Sequence, residues 1–439
     1  MKKDNTAMIR LILHTLWARR RRNGWLLAEL ILVSVISWAI FDPVIVSLHD
    51  RSLPLGYDAG RMAVVSFGEF PPEAPGYDAA AWDSAGRMRT LESIMLRVRQ
   101  HSDVALATPL IGVGFPGGNG SMQTSLPLPK DTLNTRWNTL EYVAGQQFFE
   151  TFAFRPSRGR TLKELSDYLC REHEYIMTED LLQVGWGDTD PRGKFLPWIT
   201  NGDTNYIEVP GAIGPIKKRL DEKPRPFLIR SMDPAQIAWR VSSSMQVALR
   251  LKDGVSMTRF LHDFQPWMLE HLKAGNLYAN KVQCYRTMLE DQAYATNTAL
   301  FRRSLALSVF FLVNLCLGVA GTFWVQTRSR REEVGVYLSF GATPRRIRAM
   351  LLLEGFVLVT LAVAVGCLIY WNYAMMDGLA AGSTMERYVG LYWTDNFSVH
   401  FAVISLVVYV VLLAVTLFGV WMPARRISRI PPTEALRDE

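Results

Sequence analysis

Arg328-Ser329-Arg330-Arg331-Glu332-Glu333-Val334-Gly335-Val336-Tyr337-Leu338-Ser339-Phe340-Gly341-Ala342-Thr343-Pro344-Arg345-Arg346-Ile347 lies between two oily runs of the chain. Leu305 to Val325, before it, carries no charge, and Met350 to Tyr370, after it, carries only Glu354. A helix of that length covers ~30 Å, the thickness of a bilayer's hydrocarbon core. Inside the quoted stretch, Glu332 to Phe340 reads as a short helix whose acidic first turn suits the helix dipole. Gly341 is a natural stop. Pro344 can open the next helix at its first turn, where the missing N–H costs nothing. Val334, Tyr337 and Leu338 fall on one apolar face at i, i+3 and i+4. Such a helix between two spans is either a lever for a cytoplasmic partner or a charged connector resting on headgroups, and these residues alone leave both open.

Two further runs can cross a bilayer. Gly24 to Phe41 contains one charge, Glu29, and can extend through Val46; Phe401 to Trp421 contains none. Glu29 and Glu354 each sit about one turn from an end of their run. There the cost is well below the ~2.5–3.5 kcal/mol of a charge at the bilayer centre. Asn314 is the strong polar group of the second run, either a functional group or a packing contact between helices. Flanking charge orients the four spans. Residues 1–24 carry a net +6, 326–350 a net +4 and 423–439 a net +1, whereas 371–400 carry −2 and 42–303 balance to zero. The positive-inside rule places both termini and the 326–350 loop in the cytoplasm, and residues 42–303 and 371–400 outside.

The 439 residues carry 48 Lys+Arg against 41 Asp+Glu, with 49% hydrophobic residues. That mixture fits a few spans attached to a large soluble domain, and it excludes a disordered chain or a disulfide scaffold. The basic surplus comes from membrane-flanking segments and not from a folded basic face, so nucleic-acid binding is not expected. In the outer region, residues 63–67 read as a strand, Leu91, Ile94, Met95 and Val98 as a helix face, and 104–107 as a second strand. Together they make a β-α-β run. Residues 206–209, 227–229 and 246–251 also read as strands, 256–273 as a helix, and Gly112 to Gly120 as a loop. From Thr287 to Arg303 the sequence suits a stalk helix running into the second span. Cys170 and Cys284 read as two buried thiols and not as a bonded pair. No phosphate loop, nucleophile elbow or His-Glu-x-x-His is present. Glu172-His173-Glu174 is the one dense metal-like cluster, and it reads as a solvated face.

The 328–347 loop resembles the signature of the MacB/FtsX-type permeases of ABC transporters. In that family a basic residue, a Glu, a small apolar pair with Gly and then Gly-Ala-Thr precede a basic stretch and a Glu at the start of the third span. Arg331, Glu332 or Glu333, Val334-Gly335, Gly341-Ala342-Thr343, Arg345-Arg346-Ile347 and Glu354 match it. The tail Pro423-Ala424-Arg425-Arg426-Ile427 … Pro432-Thr433-Glu434-Ala435-Leu436-Arg437 resembles the family's ending. Tyr142-Val143 … Phe148-Phe149-Glu150-Thr151-Phe152 … Gly159-Arg160, Asp190 to Lys194 and Val209 to Ile213 are similar to its periplasmic core domain. Pro344, which interrupts the basic run, and Ser339-Phe340, in place of small residues, depart from the pattern.

The resemblance implies an α+β membrane protein of the bacterial inner membrane, with both termini cytoplasmic. Four transmembrane helices would carry a large mixed α/β periplasmic domain of two subdomains, inserted between helices one and two. The expected order is an interfacial amphipathic helix (1–23), the first transmembrane helix (24–46), the periplasmic domain (47–286) and a stalk with the second transmembrane helix (287–325). A cytoplasmic coupling loop (326–349), the third helix (350–371), a short periplasmic loop (372–400), the fourth helix (401–422) and a cytoplasmic tail (423–439) complete it. It implies no enzyme activity and no cofactor in this chain, ATP and Mg being bound by a separate cytoplasmic ATPase. That ATPase would dock on Arg331, Glu332, Glu333, Val334, Gly335, Tyr337, Leu338, Gly341 and Ala342. A second permease chain, identical or different, the lipid bilayer and a periplasmic adaptor or substrate protein complete the expected partners. The implied work is mechanotransmission for export or extraction; the alternative is regulation of a periplasmic partner without cargo.

Overall fold

The computed structural model describes residues 20–112, 114–118, 120–130, 136–200, 203–293, 299–328, 331–379 and 392–428. The interfacial helix expected over residues 1–23 lies almost wholly outside them, as do residues 429–439 of the tail. The chain forms two compact units: Met1–Leu48 with Leu300–Glu439, and His49–Ala299.

In the His49–Ala299 unit, a five-stranded sheet runs in the order Lys273–Ala274, Leu277–Cys284, Met62–Glu69, Gln246–Leu251, Val104–Leu110. The expected β-α-β run is present as Met62–Glu69, Ser84–Gln100 and Val104–Leu110. Its two strands are not neighbours, because Gln246–Leu251 inserts between them and pairs antiparallel with both. Strand periodicity reveals face, not neighbour, so this split could not be read from the run itself. Both faces of this sheet are covered. Ala63, Val65 and Phe67 point into one core with Leu91, Ile94, Val98, Phe260 and Phe264 of helices Ser84–Gln100 and Met257–His271. Met62, Val64 and Ala248 point into another. A strand buried on both sides needs a continuous apolar run, and Met62-Ala63-Val64-Val65 is one.

The second core joins the first sheet to a second one, ordered Met122–Ser125, Arg136–Tyr142, Phe227–Ser231, Ile176–Thr178, Ala212–Ile213. Leu140, Ile176, Phe227 and Ile229 from this sheet share that core with Met62 and Val64. The two halves expected as subdomains therefore hold one core in common. Between them sit Phe148, Phe149, Phe152 and Phe154, each at most 1% exposed. Burying each contributes about 1.5–3 kcal/mol. Ala153 takes a left-handed φ of 49°, which ends helix Phe148–Phe152 and lets Phe152 and Phe154 stack at 5.2 Å. A third element, the hairpin Phe195–Thr200 with Asp203–Glu208, leaves Phe195 and Tyr206 exposed. Cys170 and Cys284 are free and only half-buried.

Asp180 opens helix Glu179–Trp186 fully inside this unit, and its Oδ2 is buried with no partner among the described residues. Burial pushes its carboxyl up to about 6. An unfolded Asp titrates near ~3.9, so between that value and about 6 the folded state binds more protons. This group's contribution to stability is therefore greatest in acid, falls as pH rises through that window and is unfavourable above it. Asp180→Asn keeps the acceptor that binds the Leu181 N–H and removes the charge. We expect it to stabilise the unit by about 1–2 kcal/mol at neutral pH. Thermal unfolding across pH checks this: the gain disappears toward pH ~4.

In the other unit, Arg20–Ser52, Ala299–Arg328, Pro344–Asp377 and Phe397–Ile427 are long helices. Among the described residues, Gly24–Ser52, Pro344–Met376 and Phe397–Ile427 are long and apolar enough to cross a membrane. The last two begin ahead of their oily stretches because their N-termini are capped: Thr343 accepts from the Arg346 N–H, and Asn396 from the Val399 N–H. Helix continuity from 287 to 303 involves residues 294–298, which lie outside the described ones; helices Tyr285–Ala293 and Ala299–Arg328 flank them. Trp38 is fully buried, stacked on Tyr370 at 4.4 Å and Phe401 at 5.0 Å, with its Nε1–H donated to Ser405 Oγ. It ties three helices together. Small residues let them approach closely, as membrane packing requires. A Cβ on Gly366 would lie 2.5 Å from Ser34 Oγ, and one on Gly419 would lie 3.2 Å from Ala320 Cα.

Candidate coupling site

The quoted stretch folds as helix Arg331–Ser339, then a turn, then helix Pro344–Asp377. Gly341 has φ +85°, and the turn closes as a paired cap. The Ala342 N–H donates to Tyr337 O and the Gly341 N–H to Leu338 O, each at 3.0 Å. Only a residue without Cβ takes this position without strain. Pro344 follows as the first residue of the next helix, with Thr343 as its cap.

The short helix has two faces, and they differ from the reading of its periodicity. Val334, 2% exposed, packs with Ile347, Leu351, Ala424 and Ile427, and Leu338 and Ala342 pack against the same cluster. Gly335 is buried. Tyr337 does not join them. It lies outward with Val336 and Phe340, which is 87% exposed. Val334, Gly335 and Leu338 face inward, and 336, 337 and 340 share the outer side. Phe340 was legible only as a departure from a family pattern; nothing in its spacing marked it. Glu332 and Glu333 fall in the first turn. The side chains of Arg331 and Glu332 lie outside the described residues, and Glu333 is half-buried.

Around this patch stand exposed arginines. Arg345 and Arg346 begin one long helix, and Arg425 and Arg426 end another, lying over Trp421 at 5.4 Å and Trp324 at 5.1 Å. An exposed aromatic patch rimmed by arginines suits protein docking and offers no nucleophile–base pair. Among the described residues no group of His, Cys, Asp or Glu is arranged to hold a metal.

The three polar groups of the spans separate. Glu29 is half-buried, its Oε1 3.7 Å from where a Cβ on Gly318 would lie. Asn314 is exposed and donates to Phe310 O of its own helix at 2.8 Å. Glu354 is buried, 8% exposed. The sequence reading passed over a fourth polar group, Asp42 with His400, whose Nε2 lies 2.6 Å from Asp42 Oδ1. Both are fully buried. Asp42 falls within the extension of the first span to Val46, which the reading allows without remarking on its charge, and His400 lies one residue before the run that starts at Phe401.

In the His49–Ala299 unit a cavity of about 470 Å³ is lined by Cys170, Arg171, His173, Glu174, Arg230 and Asp233 among others. His173, at φ 65°, stacks on Trp198 at 3.5 Å. Glu174 accepts from Tyr168 Oη and from the Arg171 N–H, each at 2.9 Å. Glu172-His173-Glu174 is thus part of a cavity wall and does not converge on an ion.

Residues 305–432 match the family model of the FtsX-like permease C-terminal domain. No curated protein matches the chain. Solved structures similar to it include a domain of a provisionally assigned permease from Porphyromonas gingivalis. That domain is 16% identical with a TM-score of 0.29, over 52% of this chain and 92% of that one. Another is the periplasmic region of MacB from Actinobacillus actinomycetemcomitans, 14% identical with a TM-score of 0.28, over 55% of this chain and 96% of that one.

Proposed function

We propose, from the match of residues 305–432 to the FtsX-like permease C-terminal family model, that the chain is the non-ATPase, multi-pass membrane subunit of an ABC transporter. It sits in the bacterial inner membrane with both termini cytoplasmic, helix Ala299–Arg328 serving as the second of four spans. Its work is mechanotransmission: closure of a partner ATPase, which holds the ATP and Mg, pushes helix Arg331–Ser339, and the motion passes to the periplasmic residues. The single observation that carries this reading is that helix, seated by Val334 and Leu338 and offering Val336, Tyr337 and Phe340 outward inside the matched domain. Val334 and Gly335 seat the lever; Tyr337, with Glu332 and Glu333 in the first turn, meets the partner. The permease acts as a dimer with a second identical or different chain, and a periplasmic adaptor or substrate protein engages the outer unit.

Export or extraction of cargo is favoured by the size of the His49–Ala299 unit. The regulatory alternative rests on the charged residues in the cavity wall, Arg171, Glu172, Glu174, Arg230 and Asp233. Native-detergent purification tests the common core of both. We expect a nucleotide-hydrolysing chain to co-purify and the isolated subunit to hydrolyse no ATP. Glu332→Arg with Glu333→Arg should cut stimulated turnover by about ten-fold or more. Robust hydrolysis by the isolated chain contradicts the proposal.

A further inference from the structure

Helix Arg20–Ser52 does not stop where the chain passes from one unit to the other; its last turn, His49–Ser52, belongs to the His49–Ala299 unit. The closing carbonyls of a helix lack intrahelical partners. Here a side chain far away in sequence supplies one: Lys217 Nζ donates to Asp50 O at 2.5 Å. Lys217 is 1% exposed. A buried ammonium is costly unless it is hydrogen-bonded and its charge is offset. The carboxylates of Asp50 and Asp221 offset it, and a cation suits the negative end of a helix.

The residues after the helix are held as closely. The Lys217 N–H donates to Leu55 O at 2.9 Å. Gly56 has φ +83°, and a Cβ there would run into Pro215 O and stand 3.0 Å from Ile216 Cα. A glycine lets the two backbones approach this closely. Tyr57 packs edge-on against Phe152 at 5.5 Å and Tyr285 at 6.5 Å, in the core shared by the two sheets. The Asp58 N–H donates to Phe152 O at 3.1 Å, and Arg250 Nη1 binds Asp58 Oδ2 at 2.9 Å. A Gly/Ser-rich linker would let the helix and the unit move separately; Leu53-Pro54-Leu55-Gly56-Tyr57 instead fastens one to the other.

We infer that Lys217 pins the exit of the first span into a rigid joint, through which movement of helix Arg20–Ser52 enters the core between the two sheets. The inference rests on the force-relay reading above and names the place where the relay reaches the His49–Ala299 unit. Lys217 acts as a positioning residue: its long stem carries the ammonium from the 215–217 segment to the helix end. Methionine would fill that volume and donate nothing, whereas arginine keeps both charge and donors.

Amide exchange of the full chain in lipid nanodiscs tests the joint without any partner. In the wild type, the Asp58 and Lys217 amides should exchange as slowly as those of strand Gln246–Leu251. Lys217→Met should speed exchange at residues 53–58 and 217 by about ten-fold or more while 246–251 stay unchanged; Lys217→Arg should keep the protection. Wild-type amides at 58 and 217 that exchange as fast as an open loop, or a Lys217→Met protein as protected as wild type, overturn the joint. If the methionine variant does not fold, the wild-type comparison and Lys217→Gln decide it. With the co-purified ATPase, ATP and vanadate should alter exchange in the His49–Ala299 unit of the wild type. Lys217→Met should lose that response while hydrolysis continues, and Lys217→Arg should retain it. A response that passes undiminished through Lys217→Met overturns the inference. A wild type with no nucleotide response counts against the relay reading instead, and the partner-free exchange still decides the joint.

Discussion

Tyr337→Glu combined with Phe340→Glu should abolish binding of the partner ATPase while leaving the membrane unit folded. Both side chains lie outward, 37% and 87% exposed, so replacing them costs the fold little, within about 0.5 kcal/mol. As the aromatic centre of the proposed docking surface each would contribute about 2 kcal/mol or more, or about 30-fold in affinity. Two charges placed there also desolvate badly on docking. The seat behaves in the opposite way. Val334→Asp should disorder the short helix itself, because Val334 packs against Ile347 and Leu351, and it should lower stability and binding together. Affinity capture of the ATPase alongside thermal stability of the detergent-solubilised chain separates the two.

Gly366→Leu should prevent the bundle from assembling. The first added carbon would stand 2.5 Å from Ser34 Oγ and 2.7 Å from Ser34 Cβ, with Ile31 O at 3.5 Å. Ser34 is fully buried, so it has nowhere to turn. Overpacking costs about 1–3 kcal/mol where neighbours can move, and more where the obstacle is another helix. Gly366→Ala should be milder, and adding Ser34→Gly should recover most of its loss, since the backbone contact at Ile31 is an ordinary one. The melting temperature and monodispersity of the purified chain read this out. A Gly366→Leu protein as stable as wild type contradicts the packing.

Where a pattern repeats along one element, the sequence was informative. The strand at 246–251 was read with its observed limits, and Gly341 and Pro344 marked the turn because each residue does a backbone job that few others can do. Relations between elements were not legible. Nothing in residues 62–110 shows that 246–251 inserts between their strands. The strand Arg136–Tyr142 was missed because buried Asn138, Thr139 and Glu141 break its alternation. Glu141 is buried because Arg230 and Arg240 both bind it, a compensation visible only in three dimensions. The outward turn of Tyr337 and the Asp42–His400 pair were hidden for the same reason: both depend on a neighbour far away in sequence.

The central claim is that a chain without its own ATPase relays force from a cytoplasmic lever to a unit on the other side of the membrane. Its most direct measurement is labelling of single cysteines by a membrane-impermeant thiol reagent in intact spheroplasts, in a background with the four native Cys replaced. Glu73→Cys reports on the His49–Ala299 unit and Arg345→Cys on the loop, both at exposed positions. The account predicts that Glu73→Cys reacts from outside and Arg345→Cys only after permeabilisation. Reaction of both from the same side would contradict it.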